Sequence, residues 1–274
     1  MDTRLLTPAD VPAVEAFLAD RADTSMFLRS NLRAAGIVDR GQRYQGAWVG
    51  AFAEGLSGVA CHGWNGMLLL QAPLGALPAL VDAAVAASGR AVAGFTGPTD
   101  QVRAAREHLG WTARTAALDS DEDLFALDLG ALVAGPGAVR RAGAADVAAL
   151  VPWRFAYEQE TLGRAAAPEA VADSLAASAA DGALFVAEAD GALVAMSAFN
   201  ARLPDTVQIG GVYTPPALRG RGHGRAVVGG SLRLAAAEGV QRAILFTDRD
   251  NAPAQRAYRA LGFHVVGSYG LVLF

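Results

Sequence analysis

Apolar residues alternate with small and polar ones through "LFVAEADGALVAMSAF" (184–199), and the alternation turns at Asp190-Gly191. That pattern predicts a two-stranded hairpin. "TVQIGGVY" (206–213) reads as a further strand with two glycines at its centre, and "AILFT" (243–247) as a fully buried one. Between these two the period changes. Apolar positions recur at helical spacing from Gly224 to Glu238 and stop at Gly239, which predicts a helix with glycine at its C-terminal cap. Helical spacing also marks 147–157 and 168–180. Pro253 suits the first turn of a last helix and Gly262 its end. "FHVV" and "LVLF" read as strands that close the domain. The result is a mixed α/β sheet with a strand–loop–helix unit at its centre.

The first half of the chain follows the same plan. Ala9-Asp10-Val11 and Ala145-Asp146-Val147 each follow a strand-like stretch and open a helix. "QVRAAREHLGW" (101–111) aligns without gaps on "PAQRAYRALGF" (253–263), and "AVAGFT" (91–96) parallels "AILFT". The stretch from Met67 to Ala87 is very apolar, but Pro73, Pro78 and Asp82 divide it into a strand and a helix rather than a membrane span. The glycines and Pro136 of "DLGALVAGPGAVR" (128–140) place a boundary that gives domains 1–136 and 137–274.

Composition narrows the function. A chain that is 53% hydrophobic and 18% charged builds a real core. Its net charge of -4 excludes bulk nucleic-acid binding, so any anion site is local. Cys61 is the only cysteine, which leaves no intrachain disulfide, and the four scattered histidines have no metal spacing. The expectation is a cytoplasmic protein, monomer or homodimer, with no metal, membrane or nucleic-acid partner. "DSDED" (119–123) is read as a solvated turn, and Cys61-His62 as ordinary packing.

Against that background "ALRGRGHGRAVVGG" (217–230) stands out. It lies between a strand and a helix, where first-turn amides point outward unpaired with the positive end of the helix dipole behind them. Gly220, Gly222 and Gly224 let the backbone approach an anion, and Arg219, Arg221 and Arg225 add forked donors. The spacing is not that of a dinucleotide fingerprint or a P-loop. Arg219-x-x-Gly222-x-Gly224 resembles the coenzyme A pyrophosphate loop of the GCN5-related N-acetyltransferase (GNAT) superfamily. Asn251-x-x-Ala254-x-x-x-Tyr258-x-x-x-Gly262-Phe263 matches that family's second signature, in the right order and at the right separation.

The resemblance covers about residues 139–274. It implies tandem GNAT-like domains, each a mixed, mostly antiparallel sheet flanked by helices. The first would be a degenerate copy that walls one side of the acceptor pocket. The interval from Pro73 to Gly110 is about ten residues shorter than that from Pro215 to Gly262, and the deficit falls on the phosphate loop.

The resemblance further implies that acetyl-CoA is the cosubstrate, its pyrophosphate held by residues 219–225, including His223. Its pantetheine would pair with the backbone of Val212, Tyr213 and Thr214, with Asn251 and Ala254 close by. Gly210 and Gly211 would let the strand bend away and open a slot for the thioester. Tyr258 stands at the position of the family's general acid. The strand "VQIGGVY" has no carboxylate, so the base is sought in "FAYEQETLG" (155–163), where Tyr157, Glu158 and Glu160 line the acceptor segment or else face water. The implied reaction is direct acetyl transfer to a primary amine of a small molecule, expected to be cationic. The alternatives are a non-catalytic acyl-CoA-binding module and acetylation of a protein or peptide amine.

Overall fold

The computed structural model describes residues 2–274 apart from Ala134, Pro136 and Arg164. It divides into two compact units, Met1–Asp123 with Gly267–Phe274, and Leu124–Val266. Pro136, on which the expected boundary falls, is outside the described residues.

The first unit contains β1 (Asp2–Leu5), α1 (Val11–Ala19), α2 (Met26–Ala35), β2 (Gly46–Phe52), β3 (Leu56–Gly63), β4 (Met67–Gln71), α3 (Leu77–Ser88), β5 (Gly94–Pro98) and α4 (Thr99–His108). β6 (Leu118–Asp128) begins in it and ends in the second unit. The second unit then runs through β7 (Ala138–Arg141), α5 (Val147–Leu162), α6 (Pro168–Ala180), β8 (Leu184–Ala189), β9 (Ala192–Arg202), β10 (Thr206–Tyr213), α7 (His223–Ala237), β11 (Arg242–Asp248) and α8 (Ala252–Arg259). The last strand is β12 (His264–Leu273).

The two units repeat one strand order. In the first it is β1-β2-β3-β4-β5-β12, and in the second β7-β8-β9-β10-β11-β6. Each is an antiparallel meander followed by one parallel pair, β4 with β5 and β10 with β11. The Ala-Asp-Val repeat has a physical basis. Asp10 takes a forked pair of bonds from Arg4 and accepts from the Thr7 amide; Asp146 does the same with Arg140 and the Gly143 amide. In both units one carboxylate ties the first strand to the start of the first helix.

Three expectations are corrected. "FHVV" and "LVLF" run together in the single strand β12; His264–Val266 belong to the second unit as expected, whereas Tyr269–Leu273 belong to the first and pair antiparallel with Gly94–Pro98. "DSDED" is part of β6 rather than a turn, because α4 supplies counter-ions. Arg106 pairs with Asp119, while Arg103 and the Thr99 hydroxyl bind Asp121 at 2.6 and 2.8 Å. The helix expected to end near Tyr157 continues to Leu162, and its last turns carry the carboxylates described below.

In the second unit the sheet is covered on both faces. Leu150 of α5 and Val171 and Leu175 of α6 pack with Val186, Met196, Ala198 and Tyr213. On the other face Val227, Val228 and Leu232 of α7 pack with Phe185, Ala195, Val207 and Ile209. The Asp190-Gly191 hairpin forms as expected, with φ of 50° and 74° at its two turn residues. Among the described residues no helix is long and apolar enough to cross a membrane.

Candidate active site

The site is built where β10 leaves β11. These strands pair in parallel only over Thr206–Gln208 and Arg242–Ile244, although β10 continues to Tyr213 and β11 to Asp248. Against β9, the β10 register shifts between Gln208 and Ile209 and again between Gly210 and Tyr213. An extra residue in one strand bends it and strengthens its twist. Gly211, at φ +59°, takes a conformation that costs an L-residue about 1 kcal/mol or more. The paired glycines therefore permit the divergence that the sequence pattern implied.

The glycine-rich loop follows directly. Gly222 is the N-cap of α7 at φ +83°. The first amide to find an acceptor within that helix is Ala226, which donates to the Gly222 carbonyl at 2.9 Å. The amides of His223, Gly224 and Arg225 precede it and have no place in the helical ladder. A Cβ on Gly220 or Gly222 would meet nothing within 4 Å, so the cradle is open. Arg221 and Arg225 are exposed beside it. Arg219 is turned the other way. Its Nε donates to the Thr214 carbonyl at 2.9 Å, its Nη2 lies 2.7 Å from Glu160 Oε2, and its guanidinium stands 5.4 Å from the centre of the Tyr213 ring.

At the start of α8, Asn251 is the N-cap, its Oδ1 accepting from the Ala254 amide at 3.2 Å. Tyr258 is buried on the same helix, its ring tilted against Phe125 at 6.3 Å and Phe263 at 6.1 Å.

Tyr157, Glu158 and Glu160, the candidates for the acceptor side, lie on α5. Glu160 accepts from the Tyr213 hydroxyl at 3.2 Å as well as from Arg219. Burial, reinforced by the neighbouring Glu160 charge, raises the Tyr213 phenol above its ordinary value, so it stays protonated and donates. Two residues earlier, Glu158 Oε1 accepts from Arg154 Nε at 2.8 Å, and its Oε2 accepts from the Ala166 amide at 3.0 Å. The Arg154 guanidinium is 5.2 Å from the Tyr157 ring centre. Each carboxylate of the segment is thus matched by an arginine.

A scan against family models matches residues 147–263 to the Acetyltransferase (GNAT) family. That span contains the loop, the splayed strands and α8. Residues 147–263 belong to the GNAT acetyltransferase family. The comparison with curated proteins finds no match. Solved structures extend the likeness of fold to the whole chain. A GNAT-family acetyltransferase from Colwellia psychrerythraea is 16% identical with TM-score 0.60 over 100% of both chains. A GCN5-related N-acetyltransferase from Sphaerobacter thermophilus is 22% identical with TM-score 0.61, over 99% of this chain and 94% of that one. A Drosophila protein is 14% identical with TM-score 0.68, over 99% and 98%.

The first unit keeps the fold without the loop. Only residues 72–76 separate β4 from α3, against 214–222 between β10 and α7. Thr99 and Arg106, at the places of Asn251 and Tyr258, are engaged with Asp121 and Asp119. Two residues of the second unit escaped the sequence reading. Arg154 and Asn200 lie over Gly211 and Gly210. A Cβ built on Gly211 would be 2.7 Å from Arg154 Nη1, and one on Gly210 would overlap the Asn200 amide. The paired glycines were the available signal. By themselves they signal only bending, because which side chains fill the space above a glycine is not written locally.

Proposed function

We propose that the protein is an N-acetyltransferase that moves an acetyl group from acetyl-CoA to a primary amine of a small molecule in a ternary complex. The observation that carries this reading is the coincidence of two features: strands that part after Gln208 and Ile244, and a helix N-terminus with free amides at the end of the parted strand.

The residues present fit the cosubstrate. The amides of His223, Gly224 and Arg225, the open glycines 220 and 222, and the exposed Arg221 and Arg225 suit a pyrophosphate. Val212, Tyr213 and Thr214 follow the bulge and offer backbone groups to the pantetheine arm. When bound, acetyl-CoA supplies the thioester whose C–S bond is exchanged for a C–N bond to the amine. Tyr258 gives its phenolic proton to the departing sulfur and is reprotonated, directly or through water, by the second proton that the nitrogen releases as the amide forms. The amine must lose a proton before it attacks, because an ammonium has no lone pair and a pKa near 10 keeps an alkyl amine protonated at neutral pH. Glu158 takes that proton, directly or through water. Glu160 serves instead as the partner that holds Arg219.

The test is steady release of free CoA thiol from acetyl-CoA in the presence of amines. Turnover with at least one small amine is expected. Tight acetyl-CoA binding with no release across amines and peptides would replace this reading with a non-catalytic acyl-CoA-binding module, and turnover confined to peptides would move the acceptor to a protein.

A further inference from the structure

The two glycines of the β10 bulge are each covered by a polar side chain. We infer that this cover recognises an acceptor with a carboxylate next to its amine, an α-amino acid or a molecule with the same zwitterionic end. The inference rests on the acetyl-transfer reading and narrows its acceptor.

Arg154 is half-buried, and one of its nitrogens, Nε, is committed to Glu158. Among the described residues Nη1 and Nη2 have no hydrogen-bond acceptor, and Nη1 lies directly over Gly211. A guanidinium edge with free Nη donors matches the two oxygens of a carboxylate. The Asn200 amide lies over the adjacent Gly210, also without a hydrogen-bond partner among the described residues, and adds a donor on the same face. Glu158 has accepted one bond on each oxygen and retains further lone pairs for an ammonium. Val207 and Ile209 pack toward α7, so Gln208 points to the opposite face of β10. There its Oε1 is buried without a donor, a second acceptor for N–H groups.

The charge pattern selects the ligand. Arg154 and Glu158 present opposite charges 2.8 Å apart. A bare ammonium drawn to Glu158 meets the Arg154 charge at nearly the same distance, so attraction and repulsion largely cancel. A zwitterion laid head to tail against the pair sets carboxylate on Arg154 and ammonium on Glu158, and all four neighbouring contacts are attractive. A peptide N-terminus lacks the adjacent carboxylate and forfeits half of this.

The experiment measures CoA-thiol release with common amino acids, their amides, and the matched amines lacking the carboxylate. At least one amino acid should show kcat/KM about tenfold or more above both counterparts, since a site built to bond a polar group rejects analogues without it. Arg154→Gln should erase that gap by raising KM, with calorimetric affinity for acetyl-CoA unchanged, and Arg154→Lys should restore part of it. Should Arg154→Gln fail to fold, Asn200→Ala at its exposed position decides: it should raise KM for the amino acid and leave that for the amide alone. Equal use of the decarboxylated amine, or a gap that survives Arg154→Gln, overturns the inference while leaving acetyl transfer intact. If no amine releases CoA, the acetyl-transfer reading fails by itself. Calorimetric titration of the same amino acids and amides into CoA-saturated protein then decides: binding confined to amino acids upholds the inference, and equal or absent binding overturns it.

Discussion

Arg219 Nη2 lies 2.7 Å from Glu160 Oε2, which ties the first arginine of the glycine-rich loop to the last turns of α5. Both side chains are nearly half exposed, at 47% and 46%, so the pair contributes at most about 1 kcal/mol to stability. Its importance is placement. Arg219→Glu sets two carboxylates against each other at the mouth of the loop and is expected to raise the Kd for acetyl-CoA about tenfold or more, the effect of roughly 1.4 kcal/mol. Glu160→Gln keeps a hydrogen-bond acceptor and should change that Kd less than about threefold, within the energy of an exposed pair. Calorimetry of both variants decides, and equal losses would contradict a bracing role for Glu160.

Tyr258→Phe is expected to lower kcat by about tenfold to ten-thousandfold, the usual range for removing a general acid. The ring contacts with Phe125 and Phe263 survive in the variant, so stability and acetyl-CoA affinity should hold. Wild-type turnover under conditions where chemistry is rate-limiting would remove Tyr258 from the mechanism.

Gly211→Ala and Gly220→Ala separate crowding from backbone strain. Both positions have positive φ, +59° and +76°, and each substitution should cost about 1 kcal/mol on that account. At Gly220 nothing lies within 4 Å, whereas at Gly211 the new Cβ presses on Arg154 Nη1. Gly211→Ala should therefore be the more destabilising and should also raise KM for the acceptor. Equal denaturant midpoints would mean that Arg154 yields freely.

Asp146 is held at about 2, below its ordinary value of 3.8, chiefly by the hydrogen bonds from Arg140. A depressed carboxylate contributes stability above its unfolded value and loses it as pH falls through the folded one. The contribution should be complete above about pH 4 and fade toward pH 2. Arg140→Gln should lower the denaturant midpoint at neutral pH and flatten its fall between pH 4 and 2. Parallel curves for variant and wild type would refute the assignment.

The second unit was legible because its signals are local. The Asp190-Gly191 turn, the capping glycines and the period change at Gly224 depend on neighbours a few residues away, and the Arg219-x-x-Gly222-x-Gly224 and Asn251 to Phe263 patterns stand in short windows. What the sequence determined by itself was therefore the repeated plan, the helix N-terminus with its glycine-rich loop and the absence of that loop from the first copy. Tertiary structure alone decided the rest. β12 pairs with β5 because strand partners far apart in the chain are chosen by packing, not by propensity. The "DSDED" run became a strand because Arg103 and Arg106 of α4 meet its charges. Glu158 and Glu160, indistinguishable in "FAYEQETLG", acquired different partners, Arg154 within their own helix and Arg219 from the loop. A charge's role depends on which opposite charge the fold brings within reach, and that distance is set only when the helices and strands have packed.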